Sequence, residues 1–204
     1  MKTLFSSVFA SVSLLMVSGS YIPVVIASEE VDVPSVIKGK DLITNTPMEF
    51  KLGDQKQISV LIFLSANCPC SKSHEPLLEK LSKEFKGSGF QFIGIHSNTD
   101  EKMEDAAARF HETGITFPVI EDHRSQIAIQ MSALKTPHVY IVSKDKKVLF
   151  QGGVDDSHHG PSAKKHYLQD ALTAIREDLQ ALRPVRPVAN NNVRTLGCVI
   201  KRPE

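Results

Sequence analysis

The sequence predicts an α/β domain built on a central mixed sheet, on three observations. First, the apolar run Ile58 to Leu64 (ISVLIFL) leads through a cysteine loop into a segment with Leu77, Leu81 and Phe85 at helical spacing, which reads as a strand buried on both faces followed by an amphipathic helix. Second, Gly87 and Gly89 precede another apolar run, Phe90 to His96 (FQFIGIH), completing the strand, helix, strand order that makes a parallel pair. Third, Lys135-Thr136-Pro137 introduces the strand His138 to Ser143, and Asp145 to Lys147 turns it back into Val148 to Gly152, an antiparallel hairpin.

The remaining elements follow in order. Residues 29 to 57 mix short apolar pieces with the turn residues Asn45, Pro47, Gly53 and Asp54, which suits a strand or hairpin leading into the sheet. Asn98, Thr99 and Asp100 offer caps for a helix over residues 101 to 112, on which Met103, Ala106, Ala107 and Phe110 share a face; Gly114 ends it. Phe117 to Ile120 is a short apolar run, and Gln126 to Leu134 is weakly helical. A helix over residues 163 to 182 carries Leu168, Ala171, Leu172, Ile175, Leu179 and Leu182 at spacings of three and four. Pro184, Pro187 and the asparagines 190 to 192 then mark an irregular tail ending in Gly197-Cys198-Val199-Ile200-Lys201.

The N-terminus has a different character. Lys2 is followed by apolar and small residues with no further charge until Glu29, the pattern of a secretory signal, with a cut fitting best after Ala27. The expected division is therefore a signal peptide over 1–27, a domain over 28–183 and a tail over 184–204. Cleavage removes one of the 24 basic residues and none of the 23 acidic ones, leaving a formally neutral chain. Such a balance attracts neither nucleic acid nor an anionic membrane surface, and no stable membrane association is expected after cleavage. The protein is expected to be exported, periplasmic or secreted, where a thiol is oxidised, metal-bound or kept reduced on purpose. Three cysteines cannot all pair within one chain.

A strand ending in a cysteine loop that opens a helix, a second βα unit, and Thr-Pro before a hairpin and final helix resemble the thioredoxin fold, a three-layer sandwich. In that fold the nucleophilic cysteine begins the active-site helix and a proline follows eight residues later, the spacing of Cys68 and Pro76; Thr136-Pro137 resembles the cis-proline element beside the cysteine. The extra strand and helix between the halves resemble the redoxin type, shared by alkyl-hydroperoxide-reductase-like and thiol-disulfide reductase proteins. The tail Gly197 to Lys201 resembles the Gly-Cys-x-Ile-Lys ending of peroxiredoxin-like secreted redoxins. The resemblance covers residues 30 to 201. The chain departs from the thioredoxin pattern at Ser71, where the second active-site cysteine would stand, and at Asn67, where an aromatic residue is usual. From the peroxiredoxin pattern it keeps Ser65, three residues before the cysteine, but has Leu61 where proline is usual and no arginine on the strand after Pro137.

The chemistry centres on Cys68, because a cysteine at a helix start has its thiolate stabilised by free amides and the helix dipole. Cys70 pairs with Cys68 only through a small strained ring around Pro69, whereas the tail can bring Cys198 to resolve an adduct on either. Cys68, Cys70 and Cys198 are thus the expected catalytic residues. The resemblance assigns Thr136 and Pro137 to docking an extended substrate segment, and Ser65, Ser71 and His138 are auxiliary. The function implied is thiol-disulfide exchange with protein thiols and disulfides; the alternatives are a thiol peroxidase acting on peroxide and a non-catalytic copper or zinc carrier. No cofactor is expected; in the carrier reading the ligands are Cys68, Cys70 and His158, since soft thiolates with imidazole suit Cu(I) or Zn. His74 and His138 are further imidazoles near these elements, and Asp155 to Gly160 is expected to be an exposed loop.

Overall fold

The computed structural model describes residues 31–54 and 57–203; the expected signal segment lies outside them. The first hairpin pairs β1 (Val36–Lys40) with β2 (Pro47–Lys51) antiparallel, as a two-stranded sheet of its own. Next come β3 (Ile58–Leu64), α1 (Pro69–Phe85), β4 (Phe90–His96), α2 (Met103–His111) and β5 (Val119–Glu121). The second half holds α3 (Gln126–Gln130), β6 (Lys135–Thr136), β7 (His138–Val142), β8 (Val148–Gly152), α4 (Tyr167–Gln180) and β9 (Cys198–Val199).

The main sheet runs β5-β4-β3-β7-β8. β3 pairs parallel with β4 and antiparallel with β7, and β7 turns into β8, so the mixed sheet is the expected one. All seven residues of β3 are buried, which explains its unbroken apolar sequence: no face of this strand meets water. Ile58, Val60, Ile62 and Leu64 pack with Leu78, Leu81 and Phe85 of α1, Phe110 of α2 and Leu168, Leu172 and Ile175 of α4. Leu61 and Phe63 face the other way, toward Ile37, Ile127, Ala128, Met131 and, from the tail, Ile200. Each fully buried Leu, Ile or Phe contributes about 1.5–3 kcal/mol. The three-layer arrangement is therefore present, and α2 with β5 forms the extra unit between the halves, with β5 extending one edge.

Several boundaries differ from the sequence expectation for physical reasons. The helix expected from residue 101 starts at Met103 with Lys102 at its N-cap, which makes no side-chain capping bond. Asn98, Thr99 and Asp100 do not cap it: Thr99 donates through its amide and hydroxyl to Lys201 O, and Glu101 is drawn inward. The last helix begins at Tyr167 rather than 163, because the Asp156 carboxylate accepts the amides of Lys164 and Lys165 at 2.8 and 3.0 Å and holds them out of helical geometry. The short helix α3 gains its cap from Asp122, whose carboxylate accepts the amides of Ile127 and Ala128.

The tail crosses the domain as a pinned strand rather than a loose tether. The Asn191 carbonyl accepts the Gln151 amide, the Val193 amide donates to the Gln151 carbonyl, Ile200 N donates to Leu134 O at 2.9 Å, and Arg202 donates to Ala133 O.

Candidate active site

The loop from Ser65 to Cys68 connects the end of β3 to the start of α1, at the end of the sheet where the parallel strands β3 and β4 terminate. Cys68 is the N-cap of α1, with Pro69 at the first helical position, where a missing N–H costs nothing. A helix-interior proline removes one bond, and α1 runs through Pro76 with Ser71 and His74 buried before it and Leu78, Leu81 and Phe85 buried after it. The loop is held by a single carboxylate. Glu101, 8% exposed, accepts the Ala66 amide at 2.9 Å, the Asn67 amide at 3.4 Å and the Ser65 hydroxyl, while His96 Nε2 lies 2.9 Å away. Ser65 in turn accepts the Cys68 amide at 3.0 Å, and the Ser71 hydroxyl accepts the Ser65 amide at 3.3 Å. Ser65 and Ser71 thus brace the loop, and Glu101 and His96 complete the brace.

Across from the loop, the peptide bond between Thr136 and Pro137 is cis. β6 pairs antiparallel with β9, placing Thr136 opposite Cys198. The edge expected to receive a substrate segment is therefore filled by the chain's own tail. The Cys68 thiol, 2% exposed, donates to Thr136 O at 3.2 Å, and the sulfurs of Cys68, Cys70 and Cys198 all lie within 4.8 Å of one another as free thiols.

Their acidities differ. Burial works against ionisation of Cys68, but the Cys198 side chain, the Thr136 hydroxyl and the Ser71 amide outweigh it and hold its pKa below the ordinary thiol value. The Thr136 hydroxyl is buried with no conventional partner of its own, which leaves it available to a thiolate. Burial and the charge of Cys68 push Cys70 up; burial, the bond to Cys68 and the charges of both neighbours push Cys198 up to about 12. One sulfur is thus poised as the anion and two as proton-bearing thiols.

The tail can come this close because residue 197 is glycine. Its φ is +150°, and a Cβ there would run into the backbone carbonyl oxygen of Thr136. Gly197→Ala is expected to lift β9 from β6 and slow capture of Cys68 by Cys198 by about tenfold or more, the equivalent of 1–3 kcal/mol of strain. Stopped-flow measurement of disulfide formation checks it.

The histidines sort differently from the sequence expectation. His74 is unavailable as a metal ligand, since Nδ1 faces Cys70 O at 2.6 Å and Nε2 faces Asp155 Oδ1 at 3.1 Å. Asp155, expected in an exposed loop, is buried by this pair. His158 Nδ1 lies 3.6 Å from Cys70 Sγ. His138 packs its ring on Tyr140 with centroids 4.6 Å apart and leaves Nδ1 buried without a partner; none of the bonds at Cys68 comes from it, so its expected tuning role finds no contact. Burial lowers its pKa to about 4. Because the unfolded chain takes up this proton near pH 6.5 and the folded one does not, stability is expected to fall as pH drops from 6.5 toward 4. His138→Phe should flatten thermal melting temperatures across that window.

Glu101 and His96 belong to no motif in the sequence, and the pairing of His74 with Asp155 joins two elements that no spacing links. The one signal that could have found His96 is its place at the end of a buried strand.

The family model described as Redoxin matches residues 19–169. No curated protein sequence matches the chain. Among solved structures, an uncharacterized conserved protein from Geobacillus kaustophilus is 25% identical with a TM-score of 0.67, over 84% of this chain and 90% of that one. A hypothetical protein from Sinorhizobium meliloti 1021 is 20% identical with a TM-score of 0.70, over 86% and 96%. A putative thiol:disulfide interchange protein DsbE from Chlorobium tepidum is 19% identical with a TM-score of 0.53, over 76% and 98%. The fold is thioredoxin-like.

Proposed function

The chain belongs to the redoxin family, and from that premise we propose that it is an exported thiol-disulfide oxidoreductase in which Cys68 is the nucleophile and Cys198 the resolving cysteine. The observation that carries the proposal is the β6–β9 pairing, which holds Cys198 opposite Thr136 with its sulfur within 4.8 Å of Cys68. Family membership and the interchange activity in the name of the Chlorobium structure support the reaction class.

The Cys68 thiolate attacks one sulfur of a partner disulfide, forming a mixed disulfide and releasing the other partner sulfur as a thiolate. Cys198 gives up its proton and attacks the Cys68 sulfur, expelling the second partner thiolate. The partner gains two electrons and the chain is left with a Cys68–Cys198 disulfide, which an external dithiol must reduce. The high pKa of Cys198 fits a group that stays protonated until the adduct removes the charge on Cys68.

A second reading, peroxidase chemistry, is favoured by one feature: with the docking edge filled and Cys68 2% exposed, a small oxidant reaches the sulfur more readily than a protein segment. Cys68 would then become a sulfenic acid, releasing the alcohol or water, and Cys198 would condense with it to the same disulfide and water. The two readings share the product. Oxidation of the reduced protein by one equivalent of oxidant, followed by peptide mapping without reductant, is expected to show a Cys68–Cys198 bond with Cys70 free to take an alkyl label. A Cys70–Cys198 bond, or no intramolecular bond, would overturn the assignment. Comparing the rates with hydrogen peroxide and with a disulfide-bonded peptide then separates the two oxidants.

A further inference from the structure

We propose that the reduced protein binds one Cu(I) ion between Cys68, Cys70 and Cys198, in a three-coordinate thiolate site that disulfide formation abolishes. This goes beyond the redox reading and stands on the sulfur geometry alone. Three sulfurs from three separate backbone positions, the N-cap of α1, its first turn and the tail strand, converge within 4.8 Å of one another. A modest inward movement brings all three to metal–thiolate distance, about 2.3 Å. Thiolate ligands select soft cations such as Cu(I) and Zn, and coordination number separates these two. Structural zinc takes four ligands, and the imidazoles near the cluster do not supply the fourth: His74 has both ring nitrogens facing oxygens, and His158, although near Cys70 Sγ, is not among the atoms that lie mutually within 4.8 Å. Binding exchanges thiol protons for the ion and transfers no electrons. The amides at the start of α1 offset part of the negative charge that results. Cys70 and Cys198 are half-exposed, so an incoming thiolate can reach the ion and take it by ligand exchange.

The test uses the mature protein, reduced and without oxygen, titrated with Cu(I) presented as its bathocuproine disulfonate complex. One Cu(I) per chain is expected, with three sulfur neighbours by X-ray absorption. Cys70→Ser and Cys198→Ser should each weaken binding by about a hundredfold or more, whereas His158→Ala should leave it within about threefold. The disulfide form of the unmutated protein should take up none, a comparison that needs no variant to fold. Failure of the reduced protein to take copper from the chelator, equal binding by the oxidised form, or a Cys198→Ser variant that binds as tightly as the parent would overturn the proposal. So would preferential, His158-dependent binding of zinc, which marks a four-coordinate site. None of these results alters which cysteines pair on oxidation, so the two proposals fail separately.

Discussion

Cys68→Ser is expected to lower turnover of a disulfide or peroxide substrate by at least about a thousandfold, because the hydroxyl that replaces the thiol is not ionised at neutral pH and makes a poor nucleophile. The surroundings that hold the Cys68 pKa below the ordinary thiol value against burial cannot rescue it: the Cys198 side chain, the Thr136 hydroxyl and the amide of Ser71 stabilise a thiolate, whereas a serine hydroxyl is too weak an acid for the same bonds to ionise. Cys198→Ser keeps a hydroxyl donor beside Cys68 in place of the thiol and should still allow the first attack but trap its product, so that the partner stays joined to Cys68. Cys70→Ser should preserve the Cys68–Cys198 bond. The three variants together, assayed for initial rate and for trapped adduct by mass spectrometry, assign each sulfur a role; full activity in Cys68→Ser would remove the mechanism entirely.

The largest stability effect is expected at Glu101. Its carboxylate is buried, and among the described residues it alone accepts the amides of Ala66 and Asn67 together with the Ser65 hydroxyl, beside His96. Glu101→Leu leaves those donors unpaired in the interior and should cost about 3–5 kcal/mol, read as a shift of the denaturation midpoint. It should also slow Cys68, because the Cys68 amide hangs from Ser65. The pH dependence has a definite sign. Burial raises the Glu101 pKa, but the bonds from His96, Ser65 and Ala66 outweigh it and hold it below the ordinary carboxylate value. Its stabilisation is therefore present above the unfolded carboxylate pKa, near 4.3, and is lost as pH falls below it. The leucine variant should lack this part of the acid transition.

What could be read from the sequence was local. Ile58 to Leu64 declares a buried strand by composition, Cys68 and Pro76 mark a helix start by position, and Thr136-Pro137 sits directly before its strand. Each of those signals lies within a dozen residues. Glu101 was legible only as a helix beginning, since the amides it serves lie 34 and 35 residues earlier, and no periodicity links them. Asp155 reads as part of a polar loop because its partner His74 stands on another element. The tail shows the same limit: Cys198 was recognisable as a third thiol, but its pairing with Thr136 depends on a glycine packed against a carbonyl across the fold, a constraint that only three dimensions express.

The tail strand also decides how the reactive sulfur meets its surroundings. The cover over Cys68 is a pair of two-residue strands, β6 and β9, whereas the sheet beneath is buried along the whole of β3. Short pairings open far more often than the interior does. Access to the sulfur is then metered by the breathing of a narrow flap, so gentle warming or a little denaturant should quicken its modification while the body of the protein stays folded.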